Sequence, residues 1–564
     1  MKKSQSTIVL IMSVLLLGAA CKKNSAQIPE PIPTATSMNL VLKKLNDQLV
    51  STSHVQLNTN GAVFQLSFSA KINRSTVANA VTWNGGITAS NVPVSFTFSN
   101  GDSVLMIQPQ SPLAFLTKYD ISISNALKSS NGVTLSSSFS LTIRTGIDNS
   151  DKFPIISDNA LLDTVQKRTF RYFWDYGHSV SGLARDKTNV AELDDCSVGG
   201  TGFGLLCIPV AVNRNFISRM DGLTRLQKIV HFLKTTARTY HGAFSHRING
   251  TTGATILWQS KDDGADPVET SFLMMGLLTA RQYFDGADLS ETTLRDDINA
   301  LYNNVDWAWF KKDGANALYW LWSPNYNWDI TFMIRGWNET LITYILAASA
   351  TSHTISKEVY DSGYANNGGF KNGQQYYGLT LPVGSAFGGP LFLSQYSFLG
   401  INPTGLNDAY ADYALQTRNH TLINRAYCKE NPKNYVGYND SCWGLTASSS
   451  NVGYTGCSPT NDIGVIAPTA ALSSFAFTPN ESIKALKYFY YKLGNYLWKD
   501  YGFADAFNLN TNPVWVGPQE LVYNQLPIMT AIENYRTGLV WNLFTSCPEI
   551  KAGMRKLGFT APYL

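Results

Sequence analysis

Only 15% of the 564 residues are charged, and 44 lysines and arginines nearly balance 40 acids. Without a basic excess the chain has no electrostatic footprint for nucleic acid, and that class of partner is set aside. The seven cysteines include no CxxC pair, and none of the seven scattered histidines lies close enough to them to suggest zinc. His241 and His246 are neighbours, but they read as cleft or packing residues rather than metal ligands. HExxH, the P-loop and the GxSxG elbow are all missing, which removes three common hydrolase and nucleotide chemistries. GGTGFG at 199–204 looks like a dinucleotide fingerprint, yet Leu205 stands where its last glycine belongs. DDGAD at 262–266 lacks the spacing of a calcium loop. No cofactor and no metal is implied. There is no run of alternating strands and helices, so a parallel-sheet enzyme is excluded.

One long apolar run exists, and it is at the start. MKKSQSTIVLIMSVLLLGAAC has a basic Lys2-Lys3 pair, an apolar stretch from Ile8 to Leu17, and small residues before Cys21. That is the layout of a secretory signal. A cysteine directly after the small residues resembles the bacterial lipobox, which implies cleavage before Cys21 and a lipid on its thiol. The alternative is an ordinary signal peptide with an incidental cysteine. No later run reaches the ~18 apolar residues of a spanning helix, so the expectation is an exported monomer anchored to the cell envelope. Removing residues 1–20 takes away Lys2 and Lys3 and no acid, and the formal charge falls from +4 to +2. Cys428, Cys442 and Cys457, in a Gly/Asn/Ser-rich stretch, read either as including one disulfide or as free thiols.

Residues 21–36 are polar and proline-rich, the composition of a tether. Residues 37–147 then alternate with period two: Phe64, Leu66 and Phe68; Val94, Phe96 and Phe98; Tyr119, Ile121 and Ile123; Phe139, Leu141 and Ile143. Asn-Gly pairs at 60–61, 100–101 and 131–132 mark turns. The pattern predicts a small β-sandwich, and it resembles the bacterial Ig-like modules of surface proteins. Its favoured role is a spacer, with glycan binding as the alternative. From 155 to 564 the period is helical. Leu223, Leu226, Val230 and Leu233 make one face of a helix whose other face carries Arg225 and Lys228. Phe272–Leu278, Leu341–Ala348 and the stretch from Ile528 through Leu543 are apolar nearly all round and so are expected to be buried on every side. The two kinds of helix together predict an inner layer wrapped by an outer one.

KDDGADPVETSF at 261–272 sets four acids at the mouth of one such buried helix. Asp266 suits an N-cap, Pro267 the first helical position, and Glu269 the far corner of a capping box. A cap needs one carboxylate, however, and Asp262 and Asp263 are additional. IRGWNETLITYILAA repeats the arrangement, with Arg335, Trp337 and Glu339 at the mouth of a second buried helix. Acids from two such helices suit the general acid and base of glycoside hydrolysis. Six of the thirteen tryptophans, Trp322, Trp328 and Trp337 among them, fall within 307–337. They read as sugar-stacking faces, or alternatively as a packing seam.

TGFGLLCIPVAVNRNFISR, YHGAFSHRINGTTG, VETSFLMMGLLTARQYFDG, GWNETL, IAPTAALSSFAFTPNES and IENYRTGLVWNLF, in that order, resemble the glucoamylase-like family of bacterial exported proteins. Within it the likeness is greatest to the β-1,2-glucanases with an (α/α)6 barrel. The resemblance implies a mainly α fold, inverting hydrolysis of β-glucan, and endo cutting ahead of exo. It carries over Asp262, Asp266, Glu269 and Glu339, with Asp186 near the cleft. Many members have Ile-Asp where this chain has Val268-Glu269, and this leaves the acid/base assignment open. Glu339 or Asp266 is then the general acid, with Glu269 or Asp262 on the water. Arg335, Trp337, Trp328, Trp322 and Asp505 are expected to contact substrate. A non-catalytic glycan-binding lipoprotein is the rival reading, and a polysaccharide lyase is disfavoured by the acid-rich cleft. For the anchor, Cys21→Ser is expected to give a soluble or unprocessed protein. Membrane fractionation and mass spectrometry of the mature chain check it, and an unchanged result overturns the lipoprotein.

Overall fold

The computed structural model describes residues 37–50 and 53–564. The signal, most of the tether and Cys21 lie outside the described residues. No helix among those described is long and apolar enough to cross a membrane.

The first unit is a sandwich of two five-stranded sheets. One runs in the order β2 (Gln48–Leu49), β1 (Leu40–Leu45), β4 (Phe64–Phe68), β8 (Val104–Pro109), β7 (Val94–Ser99). The other runs β3 (Ser53–Leu57), β10 (Phe139–Thr145), β9 (Lys118–Ile123), β5 (Val81–Gly85), β6 (Ser90–Asn91). Pairing is antiparallel except between β3 and β10. Phe64, Leu66, Phe68, Ile121, Ile123, Leu141 and Ile143 point into the shared core, as strict alternation requires. Asn100 and Gly101 both take positive φ between β7 and β8, the backbone that a tight hairpin needs.

The second unit is an (α/α)6 barrel. Its inner ring has six buried segments: α1 (Val198–Asn213), α2 (Pro267–Tyr283), α3 (Leu341–Ser349), short 3-10 turns within 391–399, α4 (Pro468–Leu472) and α5 (Val522–Arg536). Hydrogen bonds tie neighbours together. Ser397 Oγ accepts from the Ile342 amide at 3.0 Å, Gln395 Nε2 donates to Ala470 O at 2.9 Å, and Cys207 Sγ reaches Leu526 O at 3.7 Å. Around the ring lie helices buried on one face only, including Asp158–Trp174, Arg219–Thr235, Leu289–Asn303 and Tyr413–Glu430.

The glycine-rich stretch at 199–204 serves packing. A Cβ on Gly202 would stand 2.1 Å from Phe272 O, and one on Gly276 would stand 2.2 Å from Gly202 O. Only glycine lets α1 and α2 lie backbone against backbone there.

Three expectations are corrected. The apolar stretch from Ile528 through Leu543 is not one helix: Gly538 turns left-handed at φ 70° and separates α5 from a helix at Leu539–Ser546. Arg225 is not on a solvated face, since its guanidinium donates to Phe173 O and Trp174 O. Glu269 closes no capping box, because its side chain turns away from the cap (below). The six described cysteines are all buried, free thiols.

The two units meet through a buried arginine. Arg144, near the end of β10, donates to Leu509 O and Thr511 O at 3.2 Å and to Asn510 O at 2.9 Å in a loop of the barrel unit. It also donates to Leu116 O within the sandwich, and Leu116 itself packs in the barrel's core. Arg144→Leu is expected to lower unfolding stability by about 2 kcal/mol, the scale of charge-assisted hydrogen bonds left unmade. Urea unfolding followed by tryptophan fluorescence measures this, and an unchanged midpoint would show the junction to be passive.

Candidate active site

At one end of the barrel a cavity of about 610 Å3 opens, walled by residues at or just before the first turns of α2, α3 and α5. Helix N-termini carry partial positive charge and free N–H groups, so this end favours anions. The acids of 261–272 divide here into four separate tasks.

Asp263 fastens the aromatic loop: its oxygens accept from Ser323 Oγ and Asn325 Nδ2, each at 2.5 Å. Asp262 is buried behind the wall and does not line the cavity. One of its oxygens has no hydrogen-bond partner, and burial together with nearby Asp266 pushes its pKa up to about 6. Asp266 caps α2 with Oδ1, which accepts from the amides of Val268 and Glu269 at 2.9 Å. Its Oδ2 accepts from Trp320 Nε1 at 3.1 Å and pairs with His246 Nδ1 at 3.2 Å. Glu269, one turn along, points across to α1.

The Glu269 carboxylate accepts from the Gly199 amide at 2.9 Å and from the Tyr523 hydroxyl, with His246 Nδ1 3.9 Å away. Tyr523 accepts in turn from Ser197 Oγ at 2.7 Å, and Ser197 caps α1. A Cβ on Gly199 would stand 2.3 Å from Glu269 Oε2, so the glycine makes room for the acid. Burial pushes the Glu269 carboxyl up to about 7, while His246, Tyr523 and the Gly199 amide act to keep it ionised. Burial also works against the His246 imidazolium, but Glu269 and Asp266 outweigh it and carry its pKa up to about 9.

Glu339 lines the same cavity just ahead of α3. Burial pushes its carboxyl up to about 7, and the charge of Asp266 adds to this. Among the described residues, its own backbone N–H is the one donor acting on it. The two glutamates thus have similar affinities for a proton in opposite settings: Glu269 is surrounded by donors that suit an anion, and Glu339 is left as an acid.

His246 Nδ1 and carboxylate oxygens of Asp266 and Glu269 lie within 4.8 Å of one another, close enough for a metal triad. Asp266 already spends both oxygens on protein donors and Glu269 is held by Gly199 and Tyr523, so the group reads as an ion-paired network.

Of the other residues expected here, Asp186 lines the cavity, 3.8 Å from Arg247 Nη1. The remainder do not. Trp337 is a core residue, stacked on Phe398 and Tyr413, with Nε1 on Ser394. Arg335 is exposed and directed at Ser362 O. Trp322 and Trp328 stand beside the cavity in an aromatic group with Trp309. Asp505 is sealed inside, accepting from Asn524 Nδ2 at 2.6 Å and the Ser449 amide at 2.7 Å, with burial pushing its pKa up to about 6. It reaches the cavity only through Asn524. Tryptophan content identified the right segment and the wrong indoles: Trp320 and Trp258 form the wall. His246, Tyr523 and Gly199 were missed as well, and the crowded glycines of GGTGFG were the available signal for the last.

With the geometry established, the relatives are informative. The glycoamylase family, described as "Putative glucoamylase", matches residues 331–548, and the bacterial Ig-like domain family matches 46–145. The matched barrel segment contains Glu339 but not 262–269. An endo-β-1,2-glucanase from Chitinophaga pinensis, solved with sophorotriose and glucose, is 45% identical with a TM-score of 0.71, covering 73% of this chain and 100% of that one. A β-1,2-glucanase structure from Parabacteroides distasonis is 36% identical with a TM-score of 0.69, covering 94% of this chain and 74% of that one. A curated exo β-1,2-glucooligosaccharide sophorohydrolase (non-reducing end) of Parabacteroides distasonis is 44% identical over 424 residues, 71% of this chain. The chain spans 58% of that relative's length. Likeness of this extent, over the whole of a solved barrel, makes the chain a member of the glucoamylase-like family with a bacterial Ig-like domain ahead of its barrel.

Proposed function

We propose that this protein hydrolyses β-1,2-linked glucan with inversion, Glu339 acting as general acid and Glu269 as the carboxylate that activates or orients water. The observation that carries the reading is the contrast between the two buried glutamates in one cavity. Protonation of a glycosidic oxygen needs a carboxyl that is neutral near pH 7, and burial without donors supplies one at Glu339. Drawing a proton from water needs an anion. The α1 N-terminus, Tyr523 and the His246 imidazolium support one at Glu269. Asp266, with both oxygens taken, positions His246 and Trp320 and takes no proton.

The substrate class rests on the relatives, whose printed activities all concern β-1,2-glucans. Endo cutting belongs to the same proposal. The endo-acting neighbour is covered along its whole length and the exo-acting relative over 58% of its own. The lipid anchor at Cys21 is also proposed and rests on sequence alone. A glycan-capturing protein has no use for two carboxyls held near neutral pKa, which disfavours that alternative.

Glu339→Gln and Glu269→Gln are each expected to leave the fold intact and cut turnover on linear β-1,2-glucan by ~100-fold or more. Near-normal rates in both place the chemistry elsewhere. Product sizes from the wild type at early times distinguish the modes: a spread of oligosaccharides supports endo cutting, and a single disaccharide overturns it. The pH profile follows from the same assignment. Activity falls below neutrality as Glu269 takes up a proton and above it as Glu339 loses one, giving a bell in kcat/KM centred near pH 7. Single-turnover rates of Glu339→Gln with an activated aryl glycoside, whose leaving group needs no proton, are expected to lose the alkaline limb and keep the acidic one.

A further inference from the structure

Most aromatic side chains here are buried, yet three that line the catalytic cavity are more than half exposed: Trp258 at 55%, Phe332 at 52% and Tyr454 at 69%. Leaving such rings in water forfeits their burial, so a contiguous set of them points to an occupant. They come from three separate loops. Trp258 follows the strand at Thr255–Ile256, Phe332 belongs to the aromatic loop after Trp328, and Tyr454 is on the hairpin Ala447–Ser450/Gly453–Gly456.

Each is also backed by something that touches the carboxylates. Trp258 lies flat on His246, centroids 5.1 Å apart and planes 11° apart, and His246 pairs with Asp266. Phe332 packs on Trp320 at 5.1 Å, and Trp320 Nε1 donates to Asp266. The Tyr454 hairpin is pinned by its Ser449 amide to Asp505 and by Ala447 O to Asn524, which lines the cavity. The outward faces are therefore free and the inward contacts lead to the cap of α2, the helix that carries Glu269.

We propose that Trp258, Phe332 and Tyr454 are glucosyl-stacking platforms at the cavity rim, that they select a 1,2-linked chain, and that Trp258 and Phe332 convert sugar stacking into positioning of the Asp266–His246 pair. The occupant is the glucan chain, because the platforms are continuous with the cavity where its scissile bond must sit. The linkage follows from chain shape. A 1,2-link joins adjacent ring carbons, so successive pyranose faces turn away from one another and cannot lie along one flat row. Rings mounted on three independent loops suit such a chain, whereas platforms in line on a single element suit a flat ribbon. Energy from stacking remote rings is then available to hold the reacting groups in place. This rests on the function proposed above and assigns its substrate-binding residues.

The test is steady-state kinetics of Trp258→Ala, Phe332→Ala and Tyr454→Ala on linear β-1,2-glucan, with Trp309→Ala as the control. Trp309 is an exposed aromatic near the site that does not line the cavity. Thermal melting of each variant verifies folding. Each rim variant is expected to raise KM by about 3- to 10-fold, the scale of one aromatic contact, while Trp309→Ala leaves it unchanged. Trp258→Ala and Phe332→Ala are further expected to lower kcat and shift the pH profile through the Asp266–His246 pair, and Trp258→Phe to restore both. Unchanged KM in the rim variants, or an equal rise in Trp309→Ala, overturns the platforms; a raised KM with kcat and pH profile untouched overturns the positioning role. The function is judged separately, by wild-type activity across β-1,2-, β-1,3- and β-1,4-glucans. If the wild type cleaves another linkage and not β-1,2, the function and the linkage selection both fall, and the KM effects on the glucan it cleaves then decide the platforms.

Discussion

Two inner helices, α1 and α2, approach so closely that a carboxylate on the second takes a hydrogen bond from the first turn of the first. The contact between Glu269 and the Gly199 amide exists because Gly199 has no Cβ to occupy the carboxylate's place. Gly202 and Gly276 extend the same approach deeper into the barrel. A buried carboxylate is expensive unless donors surround it. Here the donors are an amide, a tyrosine hydroxyl and an imidazolium, each supplied by a different part of the chain. Glu339, across the cavity, is buried without that company and holds its proton more firmly for that reason. The chemical asymmetry of the site is thus a consequence of helix packing.

The choice between a capping role and a chemical role for the 261–272 acids has a divided answer. Asp266 does both, one oxygen holding the helix start and the other holding His246 and Trp320. Asp263 is a fastening for the aromatic loop, and Asp262 is buried behind the wall. Only Glu269 and Asp266 reach the cavity from this stretch.

Much of the architecture was legible because it is written in periods. Alternation of Phe64, Leu66 and Phe68 fixed a sandwich strand, and the all-round apolar runs marked the inner ring. Gly538 escaped notice because a lone glycine inside an apolar run is compatible with either a helix or a break. Residue type indicated which carboxylates to consider, but their surroundings were not legible. Trp337 and Trp320 are alike in composition and neighbourhood, yet one packs in the core and the other walls the cavity. Tyr523 and His246 lie 254 and 23 positions from Glu269, too far for any spacing rule to join them to it. Contacts made by the closing of a ring have no local signature.

The barrel mouth divides its residues by mounting. The carboxylates are at the starts of rigid inner helices, locked by backbone amides, while the exposed aromatics ride on loops whose backbones carry no part of the barrel core. Lengthening or rewriting a loop therefore leaves the proton-handling pair in register, whereas a change in an inner helix disturbs it at once. This separation makes the fold evolvable in one direction only: the shape of sugar chain it accepts can drift through loop sequence, while the reaction at the bond stays as the helices hold it.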